Sequence, residues 1–286
     1  MNVSKLSERA MLASMTISRW AGTLTDKKVT EEVAAAHAVS KRRAGHYRKH
    51  AIDIEAPSFR AVTIAASELR HKHYWHTLPW GQDGARILTA QNFERYSTDM
   101  RALRGKFDAA VRAFIADYPR LQAEAQRELN GLYNPADYPR DIGSKFGVST
   151  VIMPLPDAND FRARLADGDV AQIRAGIEEE LAKSTAVAMR EPFERLAERI
   201  SAIAAQCKPD GIVRAATVQA LRDLCDILPA LNLTGDPTLE ALRQKALAIA
   251  SFEPETLRDV DVARKAVVEQ AAEIEAAMGA FMGVRS

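Results

Sequence analysis

The most regular apolar pattern in the chain lies between residues 93 and 129. Phe93, Tyr96, Met100, Leu103, Phe107, Val111, Phe114, Tyr118, Leu121, Ala125 and Leu129 step almost wholly by three and four, which lines them up on one face of an α-helix. Pro119 interrupts this ladder and has no backbone amide to give, so the pattern predicts one long helix or two collinear ones, with a kink or break near Asp117 and Tyr118. Pro57 opens an earlier helix whose inner face is Phe59, Val62, Ala66, Leu69 and His73. From residue 160 onward the pattern is helical almost throughout. Val170, Ile173, Ile177 and Leu181 form one face. Phe193, Leu196, Ile200 and Ile203 form another after Pro192, which either kinks a single helix or starts a second. Residues 213–228 read as a further helix, with Val218, Leu221, Cys225 and Leu228 inward. Asp236 and Pro237 are a cap and first-turn proline for a helix running to Ala250. Pro254 opens the last one, through Val260, Val267, Ile274 and Met278.

Strand signals are fewer. Residues 12–20 alternate imperfectly, with Met11, Ala13, Met15 and Ile17 against Ser14, Thr16 and Ser18, and residues 145–154 place Phe146, Val148, Thr150 and Ile152 on one face before Pro154 and Pro156 stop them. The two are expected to pair with each other. Between residues 77 and 92, Pro79, Gly81 and Gly84 punctuate a turn, while Leu78, Trp80, Ile87 and Leu88 give it apolar mass, as in a buried hinge or the corner of a site. Residues 27–39 read as a helix after Asp26, with Val29, Val33 and Ala36 on one face. The expected fold is therefore mainly α with a small antiparallel β element (α+β) of two or three strands. Residues 1–160 would form a basic α+β domain, and residues 161–286 a helical bundle or arm suited to self-association.

Composition sharpens this only where it is uneven. The 286 residues are 47% hydrophobic and 27% charged, as in a globular protein with a substantial core. Cys207 and Cys225 stand among apolar neighbours and are too few for a disulfide framework, which points to a reducing, cytoplasmic setting. No apolar run reaches the length of a membrane span, and residues 1–20 lack the unbroken apolar stretch of a secretion signal. The net charge of +1 hides an asymmetry. Residues 1–80 hold 13 Lys and Arg against 7 Asp and Glu, a balance of +6; the remaining 26 and 31 give −5. A basic front half points to an anionic partner, or else the two halves complement each other within one fold or oligomer.

The densest basic run is Lys41-Arg42-Arg43-Ala44-Gly45-His46-Tyr47-Arg48-Lys49-His50. Cations flanking an aromatic ring supply phosphate contacts and a stacking surface together, which is what single- or double-stranded DNA would use. Lys72, Tyr74 and Trp75, at the end of the helix after Pro57, extend that candidate set. The competing reading is a solvated basic loop. The pairs His46/His50 and His73/His76 have helical spacing for a metal, but no Cys or His-Glu-x-x-His pattern accompanies them, and partly exposed histidines adding to a basic aromatic face, or histidines packing around Trp75 and Trp80, explain them as well. No phosphate-binding glycine loop, nucleophile elbow or Cys-x-x-Cys pair is present. Asp157, Asp160, Glu178, Glu179 and Glu180 are the carboxylates a metal-dependent enzyme would draw on, with solvation as the plain alternative. No cofactor and no catalytic residue is expected.

Thr77-Leu-Pro-Trp-Gly-Gln-Asp-Gly-Ala-Arg-Ile-Leu88, the long helix after it, Asn134-Pro-Ala-Asp-Tyr-Pro139 and Pro154-Leu-Pro-Asp-Ala-Asn-Asp-Phe-Arg162 resemble an uncharacterised family encoded by tailed bacteriophages and integrative mobile elements. Asp26-Lys-Lys-Val-Thr30 and the basic segment are similar to it as well. The resemblance covers about residues 1–165. Members are often encoded near recombination proteins or a MoxR-type AAA ATPase, which implies work on nucleic acid or an accessory role beside such a motor. The family supplies no catalytic residues. Two functions are thus expected: a non-catalytic DNA-associated accessory protein of recombination or replication, or a helical assembly or adaptor protein that partners an AAA ATPase.

Overall fold

The computed structural model describes residues 6–81, 84–156 and 167–282, and the fold is mainly α with a small antiparallel β element. The chain runs β1 (Ala10–Ser18), β2 (Thr23–Thr25), α1 (Lys27–Ala36), α2 (Lys41–Ala44), β3 (Arg48–His50), α3 (Pro57–His76), β4 (Leu78–Pro79), β5 (Ala85–Thr89), α4 (Phe93–Leu129) and β6 (Gly147–Pro154). It continues through α5 (Asp167–Cys207), α6 (Ala215–Leu231), α7 (Pro237–Ala250), α8 (Pro254–Asp259) and α9 (Asp261–Met282). The two strands predicted from alternation are β1 and β6, neighbours in a four-stranded sheet of order β4-β5-β1-β6; β2 and β3 make a second sheet of two strands. Two or three residues are too few for alternation to register, so β2, β3 and β4 leave no trace in the pattern.

By packing, the chain divides into two compact units: Met1–Ser14 with Tyr74–Tyr96 and Val151–Ser286, and Met15–His73 with Ser97–Thr150. In the first, the apolar turn is a hairpin. Leu78 pairs with Ile87 and Pro79 with Arg86, and β5 continues the sheet onto β1, from Ala10 opposite Thr89 to Ser14 opposite Ala85. Gly81 and Gly84 sit at φ 48° and 72°, left-handed conformations that let so short a connection close. Leu78, Ile87 and Leu88 are fully buried. The helices of this unit pack α5 on α6 and α9, and α7 on α6 and α9, around Leu196, Ile200, Leu221, Leu228, Ile249, Val267 and Ile274. Both cysteines belong to this core.

Pro192 lies inside a continuous α5, the single-helix alternative. The last helix differs from the pattern: it is two, because Val260 is extended (φ −120°, ψ 102°) between α8 and α9. Arginines pin both sides of that break. Arg258 Nε donates to Val213 O at 3.0 Å, and Arg264 donates to the carbonyls of Cys207, Lys208 and Gly211 at 3.1, 2.6 and 2.8 Å. The start of α5 also departs from expectation. Leu181 is buried, but Val170 and Ile177 are only partly covered and Ile173 is exposed.

The second unit is built on α3, α4 and an aromatic core. The Phe114 ring lies 5.3 Å from Phe59, 5.7 Å from Tyr118, 5.5 Å from Phe146 and 6.5 Å from Trp20, centroid to centroid. α4 runs unbroken through Pro119. Pro119 and Ile115 both face solvent, so the Ile115 carbonyl that Pro119 cannot reach has water available, and the helix survives.

Candidate nucleic-acid interface

The basic run lies in the second unit and is held from beneath by the start of α1. Asp26 caps that helix, its carboxylate accepting from Val29 N at 3.1 Å. Thr30 Oγ1 donates to Asp26 O at 2.6 Å and accepts from Tyr47 N at 3.0 Å. Asp26 N donates to Tyr47 O at 2.9 Å. Tyr47 is therefore tied down through both of its main-chain polar groups while its side chain stays in solvent, the residue 39% exposed. Gly45, at φ 78° and ψ −156°, reverses the chain between α2 and β3 in a conformation a side chain would resist.

Strand alternation then sorts the cations. In the β2–β3 pair, Thr25 stands opposite Arg48, Leu24 opposite Lys49 and Thr23 opposite His50. Arg48 and His50 point out and Lys49 points in. Lys49 Nζ donates to Asp26 Oδ2 at 2.8 Å and to Leu132 O at 2.6 Å, and makes an ion pair with Asp137 Oδ2 at 2.9 Å. With its side chain 6% exposed and all three ammonium donors engaged, Lys49 is an internal clamp, not the phosphate contact expected of it. Lys41 pairs with Glu31 at 2.6 Å, and Lys72, on α3, pairs with Asp99 at 3.2 Å. Arg42, Arg43 and Arg48 are exposed, and their guanidinium groups enter no ion pair among the described residues.

Tyr74 and Trp75 belong to the first unit. Tyr74 is exposed, but the Arg86 guanidinium lies 4.5 Å from its ring centroid and occupies one face. Trp75 is half-buried against the helical core. Lys41, Arg42, Arg43, Tyr47 and Arg48 thus form one continuous exposed segment, and Lys49, Lys72, Tyr74 and Trp75 lie outside it. Asp26 and Asp137, which shape the segment, escaped sequence reasoning. In the sequence Asp26 stands out only as preceding a helix, and Asp137 is 88 residues from Lys49 in the chain.

The histidines divide likewise. His46 and His50 are exposed, with His50 Nδ1 3.1 Å from Thr23 Oγ1. His73 is buried, as its place on the inner face of α3 predicts, and His76 is buried with it; the Asn92 amide donates to His76 O at 2.8 Å. Among the described residues no three His, Cys, Asp or Glu side chains converge as a metal-binding group. Asp157 and Asp160 lie outside the described residues, as does the end of the Pro154–Arg162 motif. Glu178, Glu179 and Glu180 are exposed on α5, Glu179 paired with Lys183 at 2.6 Å. Among the described residues no helix is long and apolar enough to cross a membrane. The first unit carries a cavity of about 180 Å³ bordered by Glu8, Arg9, Thr89, Gln91 and Asn232, where Thr89 Oγ1 donates to Ala230 O at 2.6 Å. No protein-family model, curated protein or solved structure matches the chain.

The clamp carries its own pH signature. The Lys49 ammonium, ahead of the Val29 amide, holds the Asp26 carboxyl below its ordinary 3.8. Burial pushes Lys49 down, but its hydrogen bonds to Asp26 and Asp137 outweigh it and leave the amine above 10.5. A depressed carboxylate stabilises the fold above its unfolded pKa and loses that contribution as pH falls through the folded value; a raised amine loses its own as pH rises beyond 10.5. Lys49→Met should therefore lower the urea midpoint at pH 7, with a smaller difference from wild type at pH 3. Equal differences at the two pH values would rule out the Asp26 ion pair as the cause.

Proposed function

We propose that this chain is a non-catalytic, DNA-associated accessory protein of phages or mobile elements, working beside recombination or replication, with Arg42, Arg43 and Arg48 as its phosphate contacts. One observation carries the reading. The fold pairs Lys41 and Lys49 of the basic run, and Lys72 on α3, with carboxylates, and leaves the three arginines of that run in solvent without a counter-charge among the described residues. Unpaired guanidinium groups give bidentate contacts to phosphate, and desolvating them costs no internal ion pair. The likeness of residues 1–165 to a family of tailed phages and mobile elements supports the same assignment, and it implies an AAA ATPase as a companion.

Three phosphate contacts release condensed counterions on binding, so log K for a labelled oligonucleotide should fall with log salt at a slope of about −2 to −3. Replacing Arg42, Arg43 and Arg48 together by alanine should flatten most of that slope while leaving the circular dichroism spectrum unchanged, since none of the three packs inside. If micromolar wild-type protein binds neither single- nor double-stranded DNA at low salt, the assignment fails.

The adaptor reading would then replace it, and α5 favours it. Val170, Ile173 and Ile177 continue the apolar seam of Leu181 along a stretch of helix that is largely exposed. Such a stripe suits a second amphipathic helix, from another copy of the chain or from an AAA ATPase. An adaptor of this kind would show no salt-dependent oligonucleotide binding.

A further inference from the structure

We infer that the basic segment recognises single-stranded rather than double-stranded nucleic acid, with the exposed Tyr47 ring, carried on an anchored backbone, as the platform on which one base stacks. The inference rests on the phosphate-contact reading above and adds to it which form of the polymer is bound and which residue selects it.

Geometry argues against a duplex. The major groove is about 12 Å wide and is read by a helix or ribbon that can lie along it. α2 has four residues, a rise of about 6 Å. The strands of the β2–β3 pair have three residues each, about 10 Å in length, and of the residues on their outward face only Arg48 is an unpaired cation. α1 is long enough, but its exposed face sets Lys27 and Lys28 against Glu31 and Glu32, with Lys28 paired to Glu32 at 4.0 Å and Glu31 to Lys41 at 2.6 Å. Two carboxylates on that face would confront phosphates, so α1 is no recognition helix.

Every feature of the segment suits a single strand. A base in a duplex has both π faces covered by its neighbours, whereas a single strand offers them to an aromatic side chain. Tyr47 presents its ring from a backbone held by Thr30 Oγ1 on one side and Asp26 N on the other. Little conformational freedom of the main chain remains to be lost on binding. Arg42 and Arg43 precede Tyr47 in the chain, before Gly45, and Arg48 follows it directly, so exposed guanidinium groups stand on both sides of the ring in the sequence to meet the phosphates of a bound strand. Stacking and phosphate contact do not address the sugar, so DNA and RNA strands are both admitted.

The test compares wild type, Tyr47→Phe and Tyr47→Ala on a labelled oligodeoxynucleotide, the oligoribonucleotide of the same sequence and the corresponding DNA duplex, at fixed low salt. Wild type should favour the single strands. Tyr47→Ala should weaken single-strand binding by about fivefold or more and duplex binding by less than twofold, about the error of such a comparison. Tyr47→Phe, which keeps the ring, should match wild type. The anchoring hydrogen bonds use only the Tyr47 backbone, so both variants should fold, and an unchanged thermal midpoint checks this. A loss seen with only one sugar still supports the inference and names the polymer. Equal losses on single strand and duplex, or none, overturn it while the phosphate-contact reading stands. No binding of wild type to any of the three overturns both.

Discussion

Arg195→Met should destabilise the native protein by about 3 kcal/mol. Arg195 lies one turn after Glu191 on α5, its side chain 14% exposed. Its guanidinium donates to Trp75 O at 2.9 Å, Tyr74 O at 2.7 Å and Thr77 O at 3.0 Å. These are carbonyls at the end of α3, where a helix runs out of its own amides. Glu191 also receives Arg86 at 3.0 Å, and Arg86 in turn donates to Thr77 Oγ1 at 2.8 Å and Thr77 O at 3.1 Å. Two arginines and one glutamate thereby fasten the entrance of the β4–β5 hairpin to α5. Methionine keeps the length and the apolar stem of arginine but donates nothing, so Trp75 O and Tyr74 O lose this donor and Glu191 an ionic partner, while Thr77 O keeps Arg86. Urea unfolding followed by circular dichroism gives the number. A loss below about 1 kcal/mol would mean that water replaces the guanidinium there, as it does at exposed ion pairs.

This clamp also shows what a sequence can and cannot disclose. Helices longer than three turns carry their own periodicity, and α3, α4 and α7 stand where Phe59, Phe107 and Asp236 announced them. Arg86 and Arg195 gave no such signal, since their partners lie 105 and up to 121 residues away along the chain. Lys49 is the instructive error. In a run of basic residues it looks like its neighbours, and only the pairing of β3 with β2, invisible in strands of three residues, turns it inward onto Asp26 and Asp137. The exposed part of the same run was legible, because Arg42, Arg43, Tyr47 and Arg48 need no long-range partner to remain in solvent. Compact units that interleave along the chain likewise leave no composition shift of their own, because α3 and α4 pass from one unit to the other without a break in pattern.

Phe114→Ala should cost about 3 to 5 kcal/mol, by loss of transfer energy and by the cavity left behind. Phe114 is fully buried, and it is the ring that touches most of the others: Trp20, Phe59, Tyr118 and Phe146 all lie within 6.5 Å of it, centroid to centroid. Trp20 and Phe59 meet edge to face at 6.4 Å, a geometry that depends on the space Phe114 fills. Phe114→Leu, which restores most of the volume, should recover roughly half of the loss, as partial refilling of a core cavity does. Tyr118 provides the contrast. Its hydroxyl is buried without a hydrogen-bond partner, and burial raises its pKa to about 12. Tyr118→Phe removes an oxygen whose desolvation nothing repays, so stability should stay level or rise. Measured side by side in urea, the two substitutions separate ring packing from polar burial within one cluster. A Phe114→Ala loss under about 1 kcal/mol, or a Tyr118→Phe loss above it, would show that the aromatic core does not hold this unit together by close packing.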